Sequence, residues 1–436
     1  MQREGIAIAA CKGIKEVSMR NRFTLAGLAA GVSMMAMGSA QAVEIEYWQY
    51  VFDSRVQAMD QLIANFEAAN PGITVRHVTF PYADYQTRVT AAKLAGQGPD
   101  VVQLFYGWLD NFVAGELIQP LNPDVFPHEE IESEFFPIVG AMKRGEDYYG
   151  LPTAVRSLAL FYNKQLFDEA GLDPDNPPQT LEELLAAAEA TVKRDGAGNI
   201  ISVGLAMGMA AQDHHWWREG LIRQFGGQAY SDDGRTVAYN DDAGLAATSW
   251  QADLYNTHGV TQIGFMDEPQ AAFRAGLAAM SIDGTFRLGA FNAIESFEWG
   301  VTELPANADG YRSNYASYFA NAIGASASGD ELEAAEKFLA YISSEEAMEV
   351  WLDIVGELPA RQSAALTEEN LSHPVYAPFL KGLEYAHTTV FVDEAAQRQV
   401  AIDMEARMSI QGQDPADALA EAAAAEQAIL DNFYSR

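Results

Sequence analysis

The sequence predicts an α/β fold divided between two lobes, and three observations lead there. The first is the stretch 85–121, which reads as helix, sharp stop, buried strand, loop and second helix. Val89, Ala92 and Leu94 with Ala95 recur at helical spacing, and Gly96, Gly98 and Pro99 end the helix. Val101, Val102, Leu104 and Phe105 then form a short apolar run bounded by breakers, the pattern of a strand buried on both faces in a parallel sheet. The second is that a strand, helix, turn and strand stand immediately before this stretch, so βαβ units repeat. The third is length: 436 residues, about half of them apolar, exceed what one hydrophobic core usually serves.

Taken in order, residues 43–51 (VEIEYWQYV) alternate apolar and polar and end in Trp48, Gln49 and Tyr50. A helix over 54–69 follows, capped by Asp53 or Ser54. Asn70-Pro71-Gly72 turns the chain into a second strand over 73–80, with Val75, His77 and Thr79 on one side. Residues 81–85 read as a strand-end loop carrying Tyr82 and Tyr85. Tyr106, Gly107 and Trp108 stand just past the third strand, where an open α/β sheet places its ligands. The same aromatics would also serve as core at a strand–helix junction.

After Pro120 the chain is loop-rich and acidic until Gly150-Leu151-Pro152. Residues 157–162 (SLALFY) read as a buried strand, followed by a short helix that Gly171 ends. Residues 173–178 faintly resemble a calcium loop, but their prolines and the lack of a glutamate at the twelfth position argue against a metal there. Thr180-Leu181-Glu182-Glu183 is a capping box that opens a helix running to about Arg194. A strand over 200–207 leads to Asp213-His214-His215-Trp216-Trp217, on a loop or helix start. Adjacent histidines point in different directions on any regular element, which disfavours a shared metal. Trp216 and Trp217 are costly to expose without a partner, so each either meets a ligand or fills a core.

Residues 278–284 form a short strand ending in Asp283 and Gly284, and Thr285, Phe286 and Arg287 open the next helix. Residues 315–323 read as one more strand, and 330–343 as an amphipathic helix. The segment 356–361 interrupts the helices, and 415–433 is an alanine-rich helix.

Composition narrows the function. From Met19, Arg20 and Arg22 precede an apolar stretch over 23–37 and an Ala40-Gln41-Ala42 box, the three parts of an export signal, so Val43 is expected as the first mature residue and 1–42 as a leader. Cys11 is the only cysteine, and the short apolar run before it makes a poor lipoprotein box. The expected mature chain therefore lacks disulfides, thiolate metal sites and cysteine nucleophiles. Of 27 basic and 61 acidic residues, five bases and two acids precede Val43, leaving 22 against 59 and a net charge of −37. Nucleic acid and anionic lipid are poor partners for such a surface. No nucleophile elbow, P-loop lysine, dinucleotide fingerprint or paired-histidine zinc helix is present, and Gly96-Gln97-Gly98 follows a helix where a fingerprint would follow a strand.

Five pieces in order carry a family resemblance: Asn70-Pro71-Gly72-Ile73 with Val75; Ala95-Gly96 with Gly98-Pro99-Asp100-Val101; Gly115-Glu116-Leu117-Ile118 with Pro120-Leu121; Tyr149-Gly150-Leu151-Pro152, then Phe161-Tyr162-Asn163-Lys164 and Ala170-Gly171-Leu172; and Phe273 with Gly276, Ala279 and Met280. The chain resembles family 1 of the extracellular solute-binding proteins, the sugar receptors of ABC importers. It departs from the family where paired glycines commonly precede a tryptophan, because YASYF stands at 315–319, with Tyr318 the natural substitute. The resemblance implies a two-lobed periplasmic-binding-protein fold with three interlobe crossovers, near 152–156, 311–318 and 356–361. The expected N-terminal lobe is 43–153 with 317–358, and the C-terminal lobe 154–316 with 359–436.

The resemblance further implies a monomeric periplasmic protein that takes a carbohydrate between closing lobes and delivers it to permease subunits, with no cofactor and no metal. Aromatic faces and bidentate polar side chains suit a sugar. The candidate contacts are Trp48, Gln49, Tyr82, Tyr106, Trp108, Arg156, Trp216, Trp217, Asp283, Thr285, Tyr318 and Arg361. Arg156 and Arg361 could instead be salt-bridge partners across the hinge, and Asp283 a helix cap. Two other functions stay open: an anionic ligand, such as a glycerol phosphate or a sulfonated sugar, clamped by Arg156 and Arg361, and a secreted carbohydrate-active enzyme.

Overall fold

The computed structural model describes residues 42–208, 212–389 and 391–435. Of the leader expected over 1–42, residues 1–41 lie outside the described residues, Cys11 among them. Two α/β halves follow, each built on its own sheet.

The first sheet has β1 (Val43–Tyr50) near its middle, with β2 (Ile73–Phe80) on one side and β3 (Val101–Phe105) on the other, both parallel to it. The apolar run of β3 is buried throughout, as a strand covered on both faces must be. Helices α1 (Asp53–Ala69) and α2 (Tyr82–Leu94) make the crossovers. The helix-capping expectation fails at α1: the N-cap is Phe52, with no side-chain cap, and Asp53 lies inside the first turn, where its carboxylate favours the positive end of the helix dipole. The loop expected at 81–85 is shorter, because Pro81 is the N-cap of α2 and Tyr82 already belongs to the helix; a proline there sacrifices no helical hydrogen bond.

The chain leaves this sheet after β4 (Leu151–Pro152) and enters the second as β5 (Ala154–Asn163), a strand buried along its whole length. Asn163 caps the next short helix, Lys164–Glu169, and Thr180 and Glu183 form both arms of the capping box on α3 (Leu181–Thr191). Next come β6 (Ile200–Ala206), α4 (Gln212–Gln224), α5 (Asp242–Asn256) and β7 (Ala278–Gly284), which pairs with β5 antiparallel and with β6 parallel.

The single strand expected over 315–323 is two. β8 (Asn314–Ser317) pairs with β5 in the second sheet, β9 (Phe319–Ile323) pairs with β3 and β4 in the first, and Tyr318 stands at the switch. Periodicity cannot show such a break, because the apolar pattern runs on through it. Helices α6 (Gly329–Ile342) and α7 (Glu345–Val355) then pack on the first half. Phe338 of α6 sits fully buried beside Tyr47 and Phe66, with ring centroids 5.7 and 5.1 Å away, and burial of such a ring stabilises by roughly 2–3 kcal/mol. Gly356 ends α7 at φ +81°, a left-handed value that suits glycine, and turns the chain into β10 (Leu358–Pro359), back on β5. Strands at the start of β5, the end of β8 and β10 thus run side by side where the chain passes between the sheets.

Helices α8 (Glu394–Ser409) and α9 (Pro415–Tyr434) pack against each other and on α5. Glu426 anchors α9 from inside: its carboxylate accepts hydrogen bonds from Tyr239 at 2.6 Å, from Tyr230 and from Gln397 at 3.2 Å. Among the described residues no helix is long and apolar enough to cross a membrane, and no group of three or more His, Cys, Asp and Glu side chains could hold a metal ion.

Candidate functional site

A cavity of about 440 Å³ lies between the halves. Its first-half wall is aromatic: Tyr50 at the end of β1, Phe52, Tyr82 at the start of α2, and Phe319 at the start of β9. Tyr50 sits 5.1 Å from Tyr82 and 4.8 Å from Phe319, ring centroid to ring centroid. These positions follow from topology, since the carboxyl ends of parallel strands and the helix starts after them open on one crevice. The second half supplies Arg156, Phe286, Arg287 and Arg398, with Asp267, Glu268 and Gln270. Met266 and Asp267 both take left-handed backbone, at φ 56° and 69°, a strained pair of the kind that persists at binding sites.

Beneath the aromatic wall lies a buried charge cluster. Arg55, in the first turn of α1, pairs with Glu357, and Trp351 Nε1 donates to the other Glu357 oxygen at 3.0 Å. Arg156 Nε lies 3.8 Å from the same carboxylate. The Phe319 ring sits between the cations, 5.2 Å from the Arg55 guanidinium and 5.0 Å from that of Arg156. Burial, then repulsion from Arg55, pushes the Arg156 guanidinium down to about 10, which leaves it charged at neutral pH. Burial alone would raise the Glu357 carboxyl, but Arg55, Arg156 and the hydrogen bonds it accepts outweigh that and hold it below the ordinary carboxylate range. Arg156, Phe319 and Glu357 come from the three separate places where the chain changes sheet, so the cavity floor and the hinge share residues.

Residues 52–349 match the family described as bacterial extracellular solute-binding protein. The chain belongs to that family. A Brucella abortus protein named only as a binding protein is 29% identical over 300 residues, 66% of this chain and 70% of that one. The sn-glycerol-3-phosphate-binding periplasmic protein UgpB of Shigella dysenteriae is 25% identical over 406 residues, 85% of this chain and 91% of its own. Among solved structures, the GacH receptor of Streptomyces glaucescens, crystallised unliganded and with acarbose, superposes at a TM-score of 0.77 with 21% identity over 90% of this chain and 99% of that chain. UgpB of Mycobacterium tuberculosis in complex with glycerophosphocholine gives 0.78 with 20% identity, over 89% and 98%. At such identities the superpositions speak for the two-lobed fold of the family.

Of the twelve candidate residues, Tyr82 and Arg156 line the cavity. Asp283 stands directly behind it, fully buried, with both carboxylate oxygens 3.1 Å from Nε of the cavity residue Arg287, so it orients a cavity cation and is no simple helix cap. Trp108 backs the aromatic wall, 5.7 Å from Tyr82 and 6.1 Å from Phe319. Trp216 lies under Arg156 at 5.9 Å and joins the halves, with Phe105 on one side and Tyr315 on the other.

The others are placed elsewhere. Trp48 turns to Phe80 and donates its indole N–H to Glu46 at 2.8 Å; Gln49 is fully buried on the opposite face beside Tyr47, and it is Tyr50 that reaches the cavity. Tyr106 is buried and hydrogen-bonded to Tyr315, Trp217 packs on Trp250 inside the second half, and Thr285 is fully buried. Tyr318 is fully buried and donates to the Ile138 carbonyl at 3.1 Å, and it is its neighbour Phe319 that lines the cavity. Arg361 is away from the cavity because the acidic helix His128–Glu134 captures it: it pairs with Glu130 at 3.5 Å and with Glu134, and donates to the Ser343 carbonyl at 2.8 Å. The two-arginine clamp expected from Arg156 and Arg361 therefore does not form.

Sequence reasoning missed Arg55, Phe286, Phe319 and Arg398. Arg55 had a signal, since it opens the helix that follows the first strand. Arg398 had none, because nothing in the pattern of 394–409 reports which face meets the cleft.

Proposed function

We propose that this chain is the substrate-binding component of an ABC importer, which captures a sugar or small glycoside between its two halves and delivers it to membrane permease subunits. The observation that carries the reading is the shared cavity, with an aromatic wall on one side and charged and amide side chains on the other. The C–H faces of a pyranose pack on rings such as Tyr50, Tyr82 and Phe319, while its hydroxyls accept from guanidinium N–H groups and donate to Asp267 and Glu268. A volume of about 440 Å³ suits a ligand of one to a few rings. The family membership and the sugar and glycerophosphodiester complexes of similar folds support the same reading. We place the mature protein outside the cytoplasm as a monomer, with its leader removed near Ala42.

Binding without turnover separates this from a secreted hydrolase. Melting temperature measured across mono- and disaccharides, polyols and their phosphates should rise with one class of ligand, since a solute held only by the folded state stabilises it. Calorimetry should then give one site per chain with the ligand recovered intact. Release of product from a panel of glycosides would overturn the receptor reading.

A further inference from the structure

The floor of the cavity is short of one negative charge. Arg55 and Arg156, 3% and 6% exposed, face a single carboxylate, Glu357, which is 4% exposed. Both of its oxygens are engaged, one by Arg55 and the other by Trp351. Arg156 Nε is 3.8 Å away, beyond hydrogen-bond length, and Nη2 of Arg156 is buried with no hydrogen-bond partner among the described residues. The two other cavity arginines have carboxylates of their own: Arg287 is held by Asp283 and Arg398 by Glu394. Asp267 and Glu268 are exposed, where solvent screens them.

A buried guanidinium left without acceptors is costly, and ring faces satisfy only its flat sides. Phe286 and Phe319 lie 5.5 and 5.0 Å from the Arg156 guanidinium carbon, so what remains to be satisfied is its N–H edge. A neutral hydroxyl offers that edge an acceptor but no charge. An oxyanion offers two coplanar acceptors and the missing charge together.

We infer that the ligand carries one oxyanion group (phosphate, sulfate or carboxylate) on its sugar or polyol, seated on the open edge of Arg156 beside the Arg55–Glu357 pair. The inference rests on the cleft being the binding site. It differs from a clamp by Arg156 and Arg361, because the second cation is Arg55, already half-neutralised, so the site accommodates one negative charge more readily than two.

The test is calorimetry on the full mature chain with matched pairs: trehalose 6-phosphate against trehalose, glucose 6-sulfate against glucose, glucuronic acid against glucose, and glycerol 3-phosphate against glycerol, with inorganic phosphate alone as a further arm. At least one charged member should bind 100-fold or more tightly than its neutral partner, and the pair that does so identifies the oxyanion. Its affinity should fall with added salt, and Arg156→Lys, which keeps the charge but loses the planar edge, should weaken it at least tenfold. The wild-type comparison needs no variant to fold. If, in every pair that binds, the neutral member binds as tightly as its charged partner, the oxyanion is overturned while the receptor reading stays intact. Binding of inorganic phosphate as tight as that of any ester, unaffected by Arg156→Lys, overturns the seat at Arg156. No binding by any member, charged or neutral, counts against both.

Discussion

Phe105, at the end of β3, and Trp216, on α4 of the other half, stack with ring centroids 6.4 Å apart and planes 17° from parallel. Trp216 also stacks on Tyr315, at 5.5 Å and 3°. The pair with Phe105 spans the two halves, so it stabilises the contact between them. An aromatic pair adds about 0.5–1.5 kcal/mol beyond its area. Trp216→Leu should therefore weaken ligand affinity several-fold and enlarge the radius of gyration in solution scattering. Unchanged affinity and unchanged scattering would show that the stack is only core.

Glu357 answers two buried cations, and its loss leaves both uncompensated. Glu357→Gln should destabilise by about 3–5 kcal/mol at neutral pH, read from urea unfolding. The pH dependence has a definite sign. The folded-state carboxyl titrates below its ordinary 4.5, so its contribution is complete above that pH and is lost as pH falls through the lower folded value. The gap between wild type and variant should narrow only below about pH 4.5.

How much of this was written in the linear pattern differs between fold and site. β3, β5 and β7 announce themselves as apolar runs, because a strand buried on both faces must be apolar, and β1 and β2 by alternation and by breakers such as Gly72. The capping box at Thr180 is local chemistry and equally legible. The site is not local. Alternation makes Trp48 and Tyr50 look equivalent, and only the packing of Phe80 against Trp48 decides which ring faces the cleft. Arg156 and Arg361 look alike as cations near crossovers, and only the tertiary position of Glu130 and Glu134 separates them. Where a side chain's partner lies more than two hundred residues away, as with Arg361, periodicity carries no information about it.

Glu405, on α8, is 4% exposed, accepts from Gln251 Nε2 at 3.1 Å and is pushed by burial up to about 7, with Tyr255 and Arg218 pulling the other way. Its folded value lies above its unfolded 4.5, so the folded state binds the proton more tightly and stability falls as pH rises from 4.5 to about 7, then levels off. Glu405→Gln removes that penalty and keeps an acceptor for Gln251. The melting temperature of the variant relative to wild type should rise between pH 5 and pH 8, by an amount equivalent to at most about 3 kcal/mol. A difference that stays constant across that interval would show that Glu405 is ionised and paired throughout.

Arg361 tests whether the charge map is right, since it is the arginine that sequence pattern alone would place in the cleft. Its guanidinium donates to the Ser343 carbonyl at 2.8 Å, lies over Phe135 at 4.7 Å and pairs with Glu130 and Glu134, all on the first half and none lining the cavity. Arg361→Gln keeps a side chain of similar reach but loses the charge and one planar edge, so it should lower stability by about 1–2 kcal/mol through weakened charge-assisted hydrogen bonds. Ligand affinity should stay within about twofold of wild type, because nothing the ligand touches depends on Arg361. Arg156→Lys should show the reverse ranking, with a large loss of affinity for the charged ligand and a smaller loss of stability. If calorimetry instead finds the two variants equally impaired in binding, Arg361 reaches the ligand in the bound state and the separation of the two arginines drawn from their partners is wrong.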